Sequence, residues 1–291
     1  MEYFDLHCDT LTEAWKQNKS LYENDLHVSF KRGSGYQPWM QCFAVFIPDT
    51  VRGAAAMAYF DAARQKLQQE LKTTPQAVLC RTSNDLHVCR QQMGAGALLT
   101  VEGGAVLGGK LESLDHLSSC GVRAMTLTWN GDCEIGGGVE SGRGITPFGR
   151  ETVRRMEELS IVVDVSHASE RLFYDVAEQA QKPFIATHSN ARALCGHPRN
   201  LTGEQFAVLR DRGGLVGLNL HPPFLEENGK ADITSLLRHA DYFLSRGGEQ
   251  ILCIGSDFDG ADMPQGINGI QDMENVQEIF LKHYKESIVK A

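Results

Sequence analysis

Short apolar runs recur along the chain at near-regular intervals. Residues 3–8 (YFDLHC), 40–47 (MQCFAVFI), 97–101 (ALLTV), 122–128 (VRAMTLT), 161–166 (IVVDVS), 183–187 (PFIAT), 214–220 (GLVGLNL) and 251–256 (ILCIGS) are rich in Val, Ile, Leu and Phe. They are apolar at almost every position rather than at alternate ones, which suits strands buried on both faces. Helical patterns fill the gaps. Residues 53–71 are rich in Ala and Gln, and 111–118 carry Leu at 111, 114 and 117. Thr146-Pro147 opens a helix through Glu158, with Pro suited to the first turn. Residues 169–180, 202–212 and 232–245 follow, and Thr202-Gly-Glu-Gln205 fits a capping box.

Eight strands with intervening helices predict an α/β fold, a (β/α)8 TIM-like barrel; a doubly wound open sheet is the alternative. One barrel domain accounts for all of residues 1–291. The Gly-rich stretch 130–149 follows the fourth strand and reads as an active-site loop. After the eighth strand comes a long loop, 257–275, and a last helix, 276–289, whose completeness is left open.

The polar positions concentrate where barrel chemistry sits, at the C-terminal ends of strands. Strand one ends in His7 and Asp9, which share a face because residues two apart in a strand do. The third ends in Glu102, the fifth in His167, the sixth in His188 and the eighth in Asp257 and Asp259. Each residue alone also fits a structural role: a hydrogen-bonded His, a carboxylate at a helix N-terminus, or turn residues before Gly260. Together they form a ligand set. Three imidazoles (His7, His167, His188) and two carboxylates (Asp9, Glu102) suit two zinc-like cations if one carboxylate bridges. Asp257 is left as a general acid/base. His27, His87, His116, His239 and His283 are expected to be solvated. His197 is expected on the surface, and His221 either at the pocket mouth or in a Pro-fixed loop.

Composition narrows the partners. The net charge of -9 argues against nucleic acid or an anionic membrane surface. No apolar run approaches the ~20 residues of a membrane helix. The eight Cys form no C-x-x-C pair, and the first residues show no leader pattern, so reduced thiols and a cytoplasmic location are expected.

From residue 5 to 260 these motifs, in this order, resemble the membrane (renal) dipeptidase family, peptidase family M19. The carrying runs are Asp-Leu-His7-Cys-Asp9-Thr, Thr-Val-Glu102-Gly-Gly, Asp-Val-Ser-His167, Thr-His188-Ser-Asn-Ala-Arg, Arg199-Asn200-Leu201 and Ser-Asp257-Phe-Asp259-Gly260. The resemblance implies a metal-dependent hydrolase barrel with two zinc ions and a bridging hydroxide as nucleophile. By resemblance, His7 and Asp9 bind one zinc, His167 and His188 the other, and Glu102 bridges. Asp257 assists proton transfer, and Arg199, with Asn200 beside it, holds the substrate's terminal carboxylate. The expected partner is a dipeptide, and a homodimer is implied.

The chain departs from mammalian members at the strand-four motif, Leu127-Thr128-Trp129-Asn130, where Trp129 stands in place of a His; bacterial members look more like this version. Trp129 and Asn130 are therefore candidate substrate-facing groups. Two alternatives keep the same ligands: an amidohydrolase acting on N-acyl amino acids, lactams or lactones, and a metal-retaining binding protein without turnover.

Overall fold

The computed structural model describes residues 1–92 and 94–290; of the expected domain, Met93 and Ala291 lie outside the described residues. The strands are β1 (Tyr3–Cys8), β2 (Trp39–Phe46), β3 (Ala77–Leu79), β4 (Ala95–Glu102), β5 (Val122–Thr126), β6 (Val162–Asp164), β7 (Val216–Leu218) and β8 (Leu252–Ile254). All named pairs are parallel, along the path β6-β5-β4-β2-β1-β8-β7. Ile185 bridges to Asp164 of β6 and Ala186 bridges to Val216 of β7, which closes the ring. The fold is the predicted (β/α)8 barrel.

The expected strand 183–187 is reduced to those two bridges. Pro183 has no N–H to give a ladder, and Thr187 N donates to the Asp164 carboxylate at 3.1 Å instead. β3 was not foreseen. It pairs with β4 at 95–97 while β5 pairs at 99–101, so two strands share one edge of β4.

The helices expected at 146–158, 169–180, 202–212 and 232–245 form as Pro147–Glu158, Glu170–Gln179, Gly203–Asp211 and Ile233–Leu244. Each starts on a side-chain cap, from Thr146, Ser169, Thr202 and Asp232, and the Thr202–Gln205 box forms in both directions. Such caps satisfy helix-end N–H groups that have no partner within the helix, each worth about 0.5–2 kcal/mol. Helices at Thr10–Lys16 and Ser83–Gln91 were not foreseen. The expected helix 276–289 is instead two, Met273–His283 and Glu286–Val289, broken where Tyr284 turns extended and its hydroxyl donates to Asp241 at 2.8 Å.

Outer helices cover the barrel with fully buried side chains such as Phe60, Leu67, Phe173 and Phe206, and Phe206 stacks on Phe243 at 4.4 Å. Among the described residues, no helix is long and apolar enough to cross a membrane.

Candidate active site

Two buried aspartates brace the strand ends. Asp5 in β1 accepts from the backbone N–H groups of His7 (3.2 Å) and Ser256 (2.9 Å), and from the Ser256 hydroxyl at 2.6 Å. It thereby ties the first strand to the residue before Asp257. Asp164 in β6 does the same for the other half. Its Oδ1 accepts from Ser166 N and Thr187 N, and its Oδ2 from the Thr187 hydroxyl at 2.5 Å. Burial raises the pKa of Asp5, while its hydrogen bonds oppose the shift.

The braced ends converge. Nε2 of His7 lies 3.5 Å from Oδ2 of Asp9 and 3.4 Å from Oε2 of Glu102. The other oxygen of Glu102, Oε1, lies 2.7 Å from His167 Nε2 and 3.7 Å from His188 Nε2. All five side chains are buried. Asp257 Oδ1 sits 3.9 Å from His7 Nε2, on the more open side. His167 and Asp257 both adopt positive φ, 67° and 63°, an uncommon backbone for non-glycine residues that aims each side chain out of its strand end.

Hydrogen bonds settle which imidazole nitrogen faces the centre. His188 Nδ1 lies 2.8 Å from the Thr187 hydroxyl, whose proton goes to Asp164, so that hydroxyl accepts and His188 carries its proton on Nδ1. His167 Nδ1 donates to Asn130 Oδ1 at 2.8 Å. Both rings therefore turn bare Nε2 lone pairs inward, 2.9 Å apart. Burial keeps both imidazoles neutral, lowering the pKa of His167 and, more strongly, of His188, with the Arg199 charge adding to each.

The other pairs are electrostatically opposed. Burial lowers the His7 pKa, but Glu102 and Asp9 outweigh it and raise it overall. Burial raises Glu102, and the charge on His7 more than reverses that. Burial and the Glu102 charge push Asp9 up to about 7.

This donor set fits bound cations. His7 Nε2 and Asp9 Oδ1 are buried without a hydrogen-bond partner among the described residues. Two ligands on one tetrahedral zinc with bonds near 2.0–2.1 Å stand about 3.3 Å apart, close to the His7 separations from Glu102 and Asp9. Space is kept by Gly260, where a β-carbon would collide with Asp9 Oδ2 and lie 2.7 Å from Asp257 Oδ1. Asp61, His116 and Cys120 form a separate group on the outer helices. There His116 is already satisfied by Asp61 at 3.0 Å, and Arg64 reaches the same carboxylate at 3.4 Å, which disfavours a further cation.

The remaining candidates sort by what they touch. Arg199 is buried; its Nη2 donates to His188 O at 3.2 Å, its Nε has no partner among the described residues, and its guanidinium lies 5.5 Å from the Phe224 ring centre. Trp129 stands beside the centre, its ring 6.2 Å from that of His167 and 5.0 Å from that of Phe46. Asn130 orients His167. Asn200 is a correction: it is buried and its amide donates to Cys195 O and Phe224 O, both at 2.9 Å, so it holds the loop rather than facing a substrate.

His239 is also a correction, being buried between Ala191 N (3.0 Å) and Leu225 O (3.1 Å). His27 is half-buried and accepts from Asp259 N at 2.9 Å. His116 pairs with Asp61. His197 and His221 both pack on Phe224. The 130–149 loop is pinned through Gly131 N to Asp49, Ile145 N to Asp175 and Ser169 Oγ to Arg143 O. Sequence reasoning passed over Asn219, whose Nδ2 donates to Asp257 Oδ2 at 3.0 Å.

Barrel and site together define a metal-dependent hydrolase. The sequence matches the model of the membrane dipeptidase family, peptidase family M19, over residues 1–291, and the chain belongs to that family of dipeptidases. It is 35% identical over 204 residues to an uncharacterized protein in the pqqA 5′ region of Klebsiella pneumoniae, covering 66% of this chain and 75% of that one. It is 29% identical over 209 residues to Dipeptidase 3 of Macaca fascicularis, covering 66% of this chain and 42% of that protein. Among solved structures, a metallo peptidase from Rhodobacter sphaeroides, liganded with a phosphinate mimic of the dipeptide L-Ala-D-Ala, superposes with a TM-score of 0.93. It is 28% identical, over 99% of this chain and 95% of that one.

Proposed function

We propose that the chain hydrolyses the peptide bond of dipeptides at a two-cation centre, with zinc as the cation. The observation that carries this reading is the meeting of three imidazoles and two carboxylates at one buried point, where His167 and His188 offer lone pairs rather than protons. His7 and Asp9 would hold one cation, His167 and His188 the other, and Glu102, with one oxygen toward each pair, would bridge. Bound there, the cations would supply Lewis acidity toward the scissile carbonyl and a hydroxide nucleophile at neutral pH.

The protein's own groups do the rest. Arg199, with a free Nε and a planar fork, would hold the substrate's terminal carboxylate. Asp257, its Oδ1 toward the centre, would take the proton of the attacking water and deliver it to the leaving amine. Trp129 and Phe46 would wall the site and limit bulk water, Trp129 through an indole that cannot carry a proton. Asn130 would act through His167.

One continuous buried core among the described residues supports a single domain over 1–291. Eight free cysteines, seven of them buried, support a reducing compartment, the cytoplasm. A dipeptide mimic bound to the Rhodobacter protein makes L-Ala-D-Ala the first substrate to try. The test compares L-Ala-D-Ala with its C-terminal amide and with N-acetyl-D-alanine. The reading requires turnover of the free dipeptide and loss of at least tenfold in kcat/KM for the amide. Preference for the N-acyl amino acid would assign the alternative amidohydrolase activity instead.

A further inference from the structure

We propose that Asn219 is a positioning residue that fixes the carboxylate of Asp257, an inference that rests on Asp257 being the proton-transfer group. The backbone of Asp257 is already held. Its N–H donates to His7 O at 3.1 Å, and its carbonyl accepts from Gly260 N and Ala261 N at 3.1 Å each. Its side chain, partly open to the cavity, would still rotate freely about the Cβ–Cγ bond. Among the described residues, the one side-chain donor on it is Asn219 Nδ2, 3.0 Å from Oδ2. With Oδ2 taken, Oδ1 is left facing His7 and the centre at 3.9 Å.

The amide itself has only one usable orientation. Asn219 Oδ1 accepts from the backbone N–H of His221 at 2.6 Å. Flipping the amide would set an NH2 against that N–H and an oxygen against a carboxylate, so Nδ2 must face Asp257. Asn219 cannot swing away either. Its N–H donates to Asn190 Oδ1 at 3.0 Å and its carbonyl accepts from Asn190 Nδ2 at 2.9 Å, with both residues fully buried. Asn190 N in turn donates to Asn200 Oδ1 at 3.3 Å, which connects this clamp to the loop carrying Arg199. Strand β7 brings no His or carboxylate to the site; by this reading it brings the donor that aims the acid. A neutral donor suits that task, because it orients a carboxylate without neutralising it as Lys or Arg would.

The test is steady-state dipeptide hydrolysis by metal-loaded protein. Asn219→Asp is isosteric and keeps an acceptor for His221 N, and it sets a carboxylate oxygen in place of the donor to Asp257. Its kcat should fall about tenfold to a hundredfold, the usual cost of losing a partner that orients an active-site group, with KM within twofold and metal content unchanged. In an Asp257→Asn background the same substitution should change residual turnover less than twofold, because its target is gone; a merely structural defect would lower turnover equally in both backgrounds. Asn219→Ala, which adds no charge, is the second variant should the first fail to fold, and must show the same loss in kcat. Either folded variant with kcat within twofold of the parent overturns the inference, as does an undiminished loss in the Asp257→Asn background. An unsubstituted protein that hydrolyses no dipeptide would instead overturn the functional reading beneath it.

Discussion

Gly260 lies directly against the carboxylate of Asp9, with no room for a β-carbon between them. Its backbone φ is not among the positive ones, so alanine is excluded there by the site and not by the chain conformation. The expected result for Gly260→Ala is a folded protein, with melting temperature near the parent's, whose Asp9 is displaced. Metal content should drop, and kcat/KM should fall more than a hundredfold. Metal analysis and kinetics on one preparation check both; a fully loaded, active Gly260→Ala protein would show that Asp9 does not act where it stands.

The Asp164–Thr187–His188 series sets the tautomer of His188, and its removal should be felt as metal affinity. Thr187→Val deprives the Nδ1 proton of its acceptor. Chelator competition should show affinity lowered about tenfold to a hundredfold, with Thr187→Ser restoring most of it. Equal losses in Val and Ser variants would point to packing rather than to the hydroxyl.

Arg199 is buried, with its Nε unpartnered among the described residues. Replacing it by lysine keeps a charge but loses the fork. Arg199→Lys should raise KM for dipeptides about tenfold or more while changing kcat less. An unchanged KM would remove Arg199 from carboxylate binding.

The buried His239 predicts a pH dependence of stability. Burial lowers its pKa, the Leu225 carbonyl opposes that, and Arg238 adds to it. The ring is neutral, accepting from Ala191 N and donating to Leu225 O. An unfolded imidazole titrates near 6.5, so the unfolded state binds more protons below that pH. The contribution is complete above about pH 6.5 and is lost as pH falls from there through the lower folded value. Between pH 7.5 and 5.5 the melting temperature of the parent should fall more steeply than that of His239→Gln. Parallel slopes would contradict this.

The metal-ligand candidates were legible because strand periodicity is local. His7 and Asp9 share a face by spacing alone, and Glu102, His167 and His188 each follow an apolar run. What was not legible depends on partners far along the chain. Asp5 braces Ser256, Asp164 braces Thr187, and Asn219 aims Asp257. None of these pairings leaves a periodic trace. Asn200 was misread because its motif position suggested a substrate contact, whereas its amide is needed to satisfy two buried carbonyls. The bridges at Ile185 and Ala186 look like a full strand in sequence because composition does not record that Thr187 N leaves the ladder for a side chain. The short β3 is too brief to stand out from the loop around it.

The most direct test of the central claim is metal stoichiometry measured together with turnover of L-L and L-D dipeptides, on the parent and on Asp257→Asn. The account predicts about two zinc ions per chain in both proteins, dipeptide hydrolysis by the parent, and only a small residual turnover in the variant. Fewer than two metals with no hydrolysis across the panel would contradict it, and an Asp257→Asn protein turning over at the parent's rate would contradict the proton-transfer assignment.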